Sequence, residues 1–306
     1  MGKLDTLDQR AGELAATQHG VIALAQALGL GLSWGQVQHR VRTGRWTRVA
    51  PGIFVMAGTP STWEQATMVA CLAAPTGAVA SHHSAAALHH LLEPPAIPEV
   101  TVPRGRSGRS RRATVHRSVV SAADVTAIGE IPVTAAARTV VDCAAFLPYE
   151  ELCELLDDAL CERLCTTREL GAAMERAAHK PGRAGLASLE RALVPWTPGL
   201  MPGSRAEMRL IRRILGWGFP PPERQVEVFD DHGRFVGRLD VAWRNRTTGL
   251  EYYGERHHGP RHTKHDEQRL SRVRAVGWDA RVVRKQDLKG RRAEELRRWL
   301  AARLLP

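Results

Sequence analysis

Between Val194 and Gly203 the chain reads VPWTPGLMPG, three prolines and two glycines in ten residues. Proline lacks the amide proton that a helix interior or a central strand must donate, and glycine is costly to order. Such a density marks a linker, so a second domain is expected to begin near Ser204. A looser break, HKPGRAG, precedes it, and together with a short intervening helix the two define a linker region over 181–203. The chain is therefore read as 1–60, 61–180, the linker region and 204–306.

The net charge of +11 and the 43% hydrophobic content exclude a disordered tail or a fibrous repeat. No stretch of about 18 apolar residues is present, so no membrane span is expected. Asp5, Asp8, Arg10 and Glu13 in the first twenty residues do not fit a secretory signal, and a cytoplasmic protein is expected. The five cysteines include no pair two residues apart, which argues for small buried hydrophobes rather than disulfides or structural zinc. Residues 1–120 carry 12 basic and 6 acidic side chains, 121–200 carry 7 and 12, and 201–306 carry 24 and 14. Both ends are basic, so a polyanionic partner, DNA, belongs to the ends.

Residues 4–18 and 21–28 read as two short helices, and GLGL at 29–32 breaks the chain before a third that begins at Ser33. In this third helix Trp34, Val37 and Val41 are expected to face inward, leaving Gln36, His39, Arg40 and Thr43 on the opposite face. Two apolar runs in GRWTRVAPGIFVMAG then flank Ala50, Pro51 and Gly52 as a hairpin does. Three helices and a basic hairpin are the parts of a winged helix-turn-helix, in which the third helix enters the major groove. Gln36, His39, Arg40 and Thr43 are thus expected to face bases, and Arg45 and Arg48 to hold phosphates.

The middle region is expected to be α/β. Helix caps are read at Ser61 with Glu64, at Ser81, at Thr134, and at Thr166 with Glu169. IPEVTVP and ATVHRSV read as strands around a loop holding five arginines, RGRSGRSRR. His82, His83, His89 and His90 sit among alanines and leucines with no carboxylate cluster nearby in sequence, and are expected to be core or surface residues rather than metal ligands.

Beyond the linker the pattern is helix 204–217, strands 224–229, 234–243 and 249–254, helix 262–276, strand 279–284 and a final amphipathic helix. Asp240 in FVGRLDVAW and Glu251 in GLEYYG lie on strands joined by RNRTTG. With an even turn, Asp240, Glu251 and Tyr253 point to one face of the sheet. Two carboxylates about 4 Å apart repel by roughly 4 kcal/mol at an effective dielectric of 20, so the pair is expected to take up a proton or a cation. Hard oxygen ligands suit Mg²⁺ or Mn²⁺, which polarises a phosphodiester and activates water.

These residues carry a resemblance. Ser204 to Glu207, Asp240, Glu251 to Gly254, His257, Asp266 to Arg269 and the strand WDARVVR together resemble the PD-(D/E)XK nuclease superfamily, in particular relatives of the very-short-patch repair endonuclease. The likeness implies a C-terminal αβββαβ restriction-endonuclease-like domain. It also implies a metal held by Asp240, Glu251 and the Tyr252 carbonyl, with Glu207 approaching from the first helix and His257 assisting proton transfer or the leaving group. Glu207 also completes a capping box with Ser204. Where relatives carry Asp, Lys or Gln two residues after the Glu, this chain has Tyr253, a poor metal ligand at neutral pH. Either Lys264 or His262 substitutes, or the site is weakened.

HGVIALAQALGL, GRWTRVAPGIF, SHHSAAALHHL and GEIPVTAAARTVVDCAA are similar to AbiEi-type antitoxins of bacterial type IV toxin-antitoxin systems. That likeness implies a self-repressing regulator with a cognate toxin or other protein partner. Two functions follow from the sequence: a Mg²⁺-dependent DNA endonuclease, or an antitoxin-like transcriptional regulator whose nuclease-like domain is inactive.

Overall fold

The computed structural model describes residues 3–104, 112–178, 185–196, 204–253 and 260–305. The architecture is α+β, in two compact units, Met1–Glu190 and Arg191–Pro306.

The first unit opens with α1 (Lys3–Thr17), β1 (Val21–Ala23), α2 (Leu24–Gly29), α3 (Trp34–Arg42), β2 (Trp46–Ala50) and β3 (Ile53–Met56). In outline this is the winged helix-turn-helix order. The segment expected as a second helix over 21–28 is divided: Val21, Ile22 and Ala23 pair antiparallel with Val55, Phe54 and Ile53. Three apolar residues beside a partner strand gain more from backbone pairing than from lengthening a six-residue helix, whose nucleation is costly. The sheet order is β1-β3-β2. Ala11, Ala15, Ile22, Ala27, Leu32, Val37, Trp46 and Phe54 fill the core between sheet and helices.

The unit continues through α4 (Trp63–Ala73), β4 (Val79–Ala80), α5 (His82–Leu88), β5 (Glu99–Val102), β6 (Thr114–Arg117), β7 (Val125–Ile128), β8 (Ile131–Thr134), α6 (Ala136–Cys143), α7 (Tyr149–Cys161) and α8 (Thr167–Ala178). The sheet order is β6-β5-β4-β8-β7. The strands expected around the arginine loop run parallel, with Glu99 opposite Thr114 and Thr101 opposite His116. The loop itself lies, for residues 105–111, outside the described residues. The cap of α4 is Thr62, whose hydroxyl accepts from the Gln65 amide at 3.1 Å, one residue later than expected. Thr134 bonds Thr139 Oγ1 at 2.7 Å instead of capping a helix. All five cysteines are free, and four are buried.

The division between units falls within α9 (Leu186–Leu193), and the Pro/Gly segment that separates the two bodies in sequence lies, for 197–203, outside the described residues. The second unit comprises α10 (Arg205–Gly216), β9 (Glu223–Phe229), β10 (Phe235–Trp243), β11 (Thr248–Tyr253), α11 (Pro260–Ala275), β12 (Asp279–Arg284) and α12 (Gly290–Leu304). The sheet order β12-β11-β10-β9 is antiparallel except for the parallel β11–β12 pair, so it is a mixed sheet flanked by helices. Val226, Val228, Leu239, Ala242, Leu270, Val273 and Ala280 form its core. No helix among the described residues is long and apolar enough to cross a membrane.

Candidate functional site

In the second unit Val241, Ala242 and Trp243 pair with Leu250, Gly249 and Thr248. Carried one residue further, this register sets Asp240 opposite Glu251, and residues directly opposite in an antiparallel pair share a face. The Tyr252 amide donates to Asp240 Oδ2 at 2.7 Å, tying the two strands together at the acids. On the other side, Leu239 pairs with Val226, which brings Gln225 beside Asp240. Gln225 Nε2 donates to Asp240 Oδ1 at 3.2 Å and to Glu207 Oε2 at 3.0 Å. Glu207 therefore joins the row from α10, held there by a cap in which its amide donates to Ser204 Oγ at 3.2 Å. Gln225 has φ of 47°, a left-handed conformation uncommon outside glycine that is retained where surrounding contacts fix it.

Glu207 and Glu251 are buried, and Asp240 is half-buried. Burial pushes the Asp240 carboxyl above the ordinary aspartate range, against the opposing pull of the Tyr252 amide, Gln225 and the charges of Arg269 and Arg238. Glu251 forms an ion pair with Arg269 of α11. The acids thus meet their desolvation cost in different ways: Glu251 through a guanidinium, Asp240 through the Tyr252 amide and Gln225, which offset only part of it. Tyr253 stands under the Arg284 guanidinium, 5.8 Å from its ring centre. His257, and the side chains of His262 and Lys264, lie outside the described residues.

In the first unit, the face expected to meet DNA is only partly as read. Arg40 is 4% exposed: its Nε donates to Asp8 Oδ1 at 2.6 Å and its Nη1 to the Gln36 carbonyl at 2.8 Å. It pins α3 to α1 and does not lie on the outer face. Trp34, expected inside, is 52% exposed at the first position of α3, whereas Val37 one turn on is fully buried. Gln36 uses its Oε1 to accept from the Ser33 amide at 2.8 Å, closing the helix cap. His39, Thr43, Arg45 and Arg48 are exposed, as are Arg42 and Thr47. An open hollow lined by Asp8, Ser33, Gly35, Gln36, His39, Arg40 and Arg45 lies against α3.

A second cluster was not foreseen. His82, Glu99 and His116 offer ligand atoms that all lie within 4.8 Å of one another, the one such trio of His, Cys, Asp or Glu among the described residues, and it can chelate a divalent cation. His116 Nε2 is 2.8 Å from Glu99 Oε2, and His83 Nδ1 is 3.1 Å from Glu99 Oε1. The His82 and His116 rings stack at 3.6 Å. Burial and the neighbouring His116 push the His82 imidazole down to about 3, so it is neutral at physiological pH. Interaction with His116 and His83 holds the Glu99 carboxyl below the ordinary range, although its burial acts the other way. The carboxylate missing from the sequence around the histidines arrives from β5, and His116 from β6. The parallel pairing that joins them has no local signature.

No protein-family model and no curated protein matches the chain.

Proposed function

We propose that the protein binds DNA and that its second unit hydrolyses phosphodiesters with Mg²⁺ or Mn²⁺ held by Asp240 and Glu251. The observation that carries this reading is the register of β10 and β11, which sets the two acids opposite each other beside a third, Glu207. The donor chemistry fits: two carboxylates and the nearby backbone of Tyr252 are hard oxygen donors of the kind magnesium prefers. A bound ion would supply positive charge to the scissile phosphate and lower the pKa of a bound water. The chain's own part is positional. Gln225 holds Glu207 and Asp240 in one hydrogen-bonded row, and the Tyr252 amide fixes one Asp240 oxygen, leaving Oδ1 turned to the row. Arg269 forms an ion pair with buried Glu251, which places a guanidinium beside the acids where a phosphate oxygen would lie.

His39, Thr43, Arg45 and Arg48, with Arg42, supply the DNA-facing side of the first unit under the same reading. The α1-β1-α2-α3-β2-β3 order supports its assignment as a winged helix-turn-helix.

The Arg269 pair favours a second reading. A guanidinium on Glu251, with Tyr253 two residues later, suits an antitoxin-like regulator whose nuclease-like unit binds without cutting. Supercoiled plasmid incubated with the protein and Mg²⁺ or Mn²⁺ separates the two. Nicking that is lost in Asp240→Ala and Glu251→Ala supports hydrolysis. Retained DNA binding without nicking in either metal supports the regulator.

A further inference from the structure

The cluster of the first unit is built as a ligand site is built. His82 occupies φ of 54° at the start of α5, a strained conformation for a side-chain-bearing residue. Its Nδ1 is 2.9 Å from Ser81 Oγ, and Ser81, wholly buried, in turn accepts from Thr101 Oγ1 at 2.8 Å. That hydroxyl orients the ring and leaves Nε2 as the ligating atom, the arrangement by which outer hydrogen bonds set a histidine ligand. Ser84 Oγ accepts from the Glu99 amide at 2.7 Å, and His83 holds Glu99 Oε1, so Oε2 is the oxygen presented to His116. Phe146 packs on His83 with ring centres 4.4 Å apart and on His82 at 5.9 Å, shielding one side. The nearby Arg138 pairs with Asp142, whose Oδ1 accepts from its Nε at 2.8 Å, and lies 3.6 Å from Asp124, which Arg176 also holds.

We propose that His82, Glu99 and His116 form a resident site for a late first-row divalent cation of the zinc class, separate from the acid row of the second unit. Two imidazoles and one carboxylate are a borderline donor set that suits zinc, cobalt or nickel, whereas magnesium favours all-oxygen ligation. Two donors about 2.1 Å from one tetrahedral ion stand about 3.4 Å apart. The 2.8 Å contact between His116 and Glu99 therefore opens by about 0.6 Å to admit the ion, and the stacked His82 and His116 rings turn out of parallel so that both in-plane lone pairs meet it. Buried Cys71 and Cys165, their thiols pushed up to about 12 by desolvation, are protonated and do not compete. The ion links α5, β5 and β6 and so ties one edge of the middle sheet to the helix that covers it.

The test uses the full chain with His257, His258, His262 and His265 changed to Gln, which removes four other imidazoles. The chelator-stripped protein is titrated with zinc sulfate, and separately with magnesium chloride, by calorimetry, and with cobalt chloride by visible absorption. The expected result is one equivalent of zinc that magnesium does not displace, a cobalt d–d band and a raised melting temperature. Stoichiometric uptake is lost in His116→Gln and in Glu99→Gln, and Ser81→Ala weakens it by about 10–100-fold. Uptake that persists unchanged in His116→Gln and Glu99→Gln, or no stoichiometric uptake at all, overturns the proposal. So does its loss in Asp240→Ala, which places the ion in the other unit. If the ligand variants do not fold, mass-mapped diethylpyrocarbonate modification of the parent decides: zinc must slow modification of His116, and an unchanged rate overturns the site.

Discussion

Arg40 and Arg48 look alike in sequence and do opposite work. Arg40 is a buried anchor between α3 and α1, bonded to Asp8 and to the Gln36 carbonyl, with Trp46 5.8 Å away. Arg40→Ala is expected to lower the unfolding free energy by about 1–3 kcal/mol, since a buried charged hydrogen-bonded group is removed and Asp8 is left with the exposed Arg45, 3.4 Å away. Urea denaturation measures this, and any loss of DNA affinity follows the loss of fold. Arg48 is exposed on β2, so Arg48→Ala leaves the denaturation midpoint in place while reducing the slope of log affinity against log salt by about 1. Helical periodicity puts Arg40 on the outward face of α3, and the basic hairpin puts Arg48 on the phosphates. It failed at Arg40 because a long side chain reaches sideways to an acid 32 residues earlier, a contact that exists only once α1 has docked.

Asp240 carries a consequence for pH. Its folded-state pKa is raised by burial, so between the ordinary aspartate range and that higher value the folded chain holds a proton that the unfolded chain has released. Stability from this residue is greatest below the unfolded pKa and declines as pH rises through the folded one. The unfolding free energy of the parent, less that of Asp240→Asn, is expected to fall with rising pH across this window and to level off above it. A difference that rises instead contradicts the burial argument. If Asp240 holds Mg²⁺ or Mn²⁺ as proposed, the affinity is expected to move the other way, growing with pH as the proton leaves.

The elements of the second unit were readable to within a few residues. Alternation in β9 and β10, the RNRTTG turn and the amphipathic α10 each state their element locally. In the first unit β1 was read as helix, because three apolar residues before a helix carry no strand period, and only β3 makes them a strand. The His82 site failed for the same reason on a larger loop: β5 and β6 are parallel, and nothing in 99–117 announces that. Gly249 tests how the β10–β11 pair holds the acids. A methyl group there meets Leu239 Cδ1 at 2.5 Å and Ala242 Cβ at 3.2 Å, both in the buried core. Gly249→Ala is expected to cost about 1–3 kcal/mol by overpacking. It also shifts β11 away from β10, so Mn²⁺-dependent nicking should fall more than the change in melting temperature explains. Nicking at the parental rate in a destabilised variant separates the acid row from the chemistry.

Dividing the chain at Glu190 redistributes its charge. Residues 1–190 hold 18 basic and 18 acidic side chains, and residues 191–306 hold 25 and 14, so the whole excess of +11 belongs to the second unit. The basic and acidic halves of the first unit cancel, which the three-part reading by sequence position concealed. Counterion release scales with the phosphates neutralised, so the two units are expected to contribute differently to one binding event. Under the proposed DNA-binding reading, the second unit, with Arg284, Arg297 and Arg298 exposed on β12 and α12, is expected to supply sequence-independent affinity. The first, neutral overall but with Arg42, Arg45 and Arg48 exposed on or beside α3, is expected to supply local contacts and discrimination. In the full chain, Arg284→Gln with Arg297→Gln and Arg298→Gln should flatten the salt dependence by up to about 3 and weaken binding to every duplex alike. Arg42→Gln with Arg45→Gln should instead narrow the gap between preferred and random duplexes selected from a library. If the α12 and β12 changes leave the salt slope untouched, the cationic excess serves something other than nucleic acid, and the acid row loses its substrate.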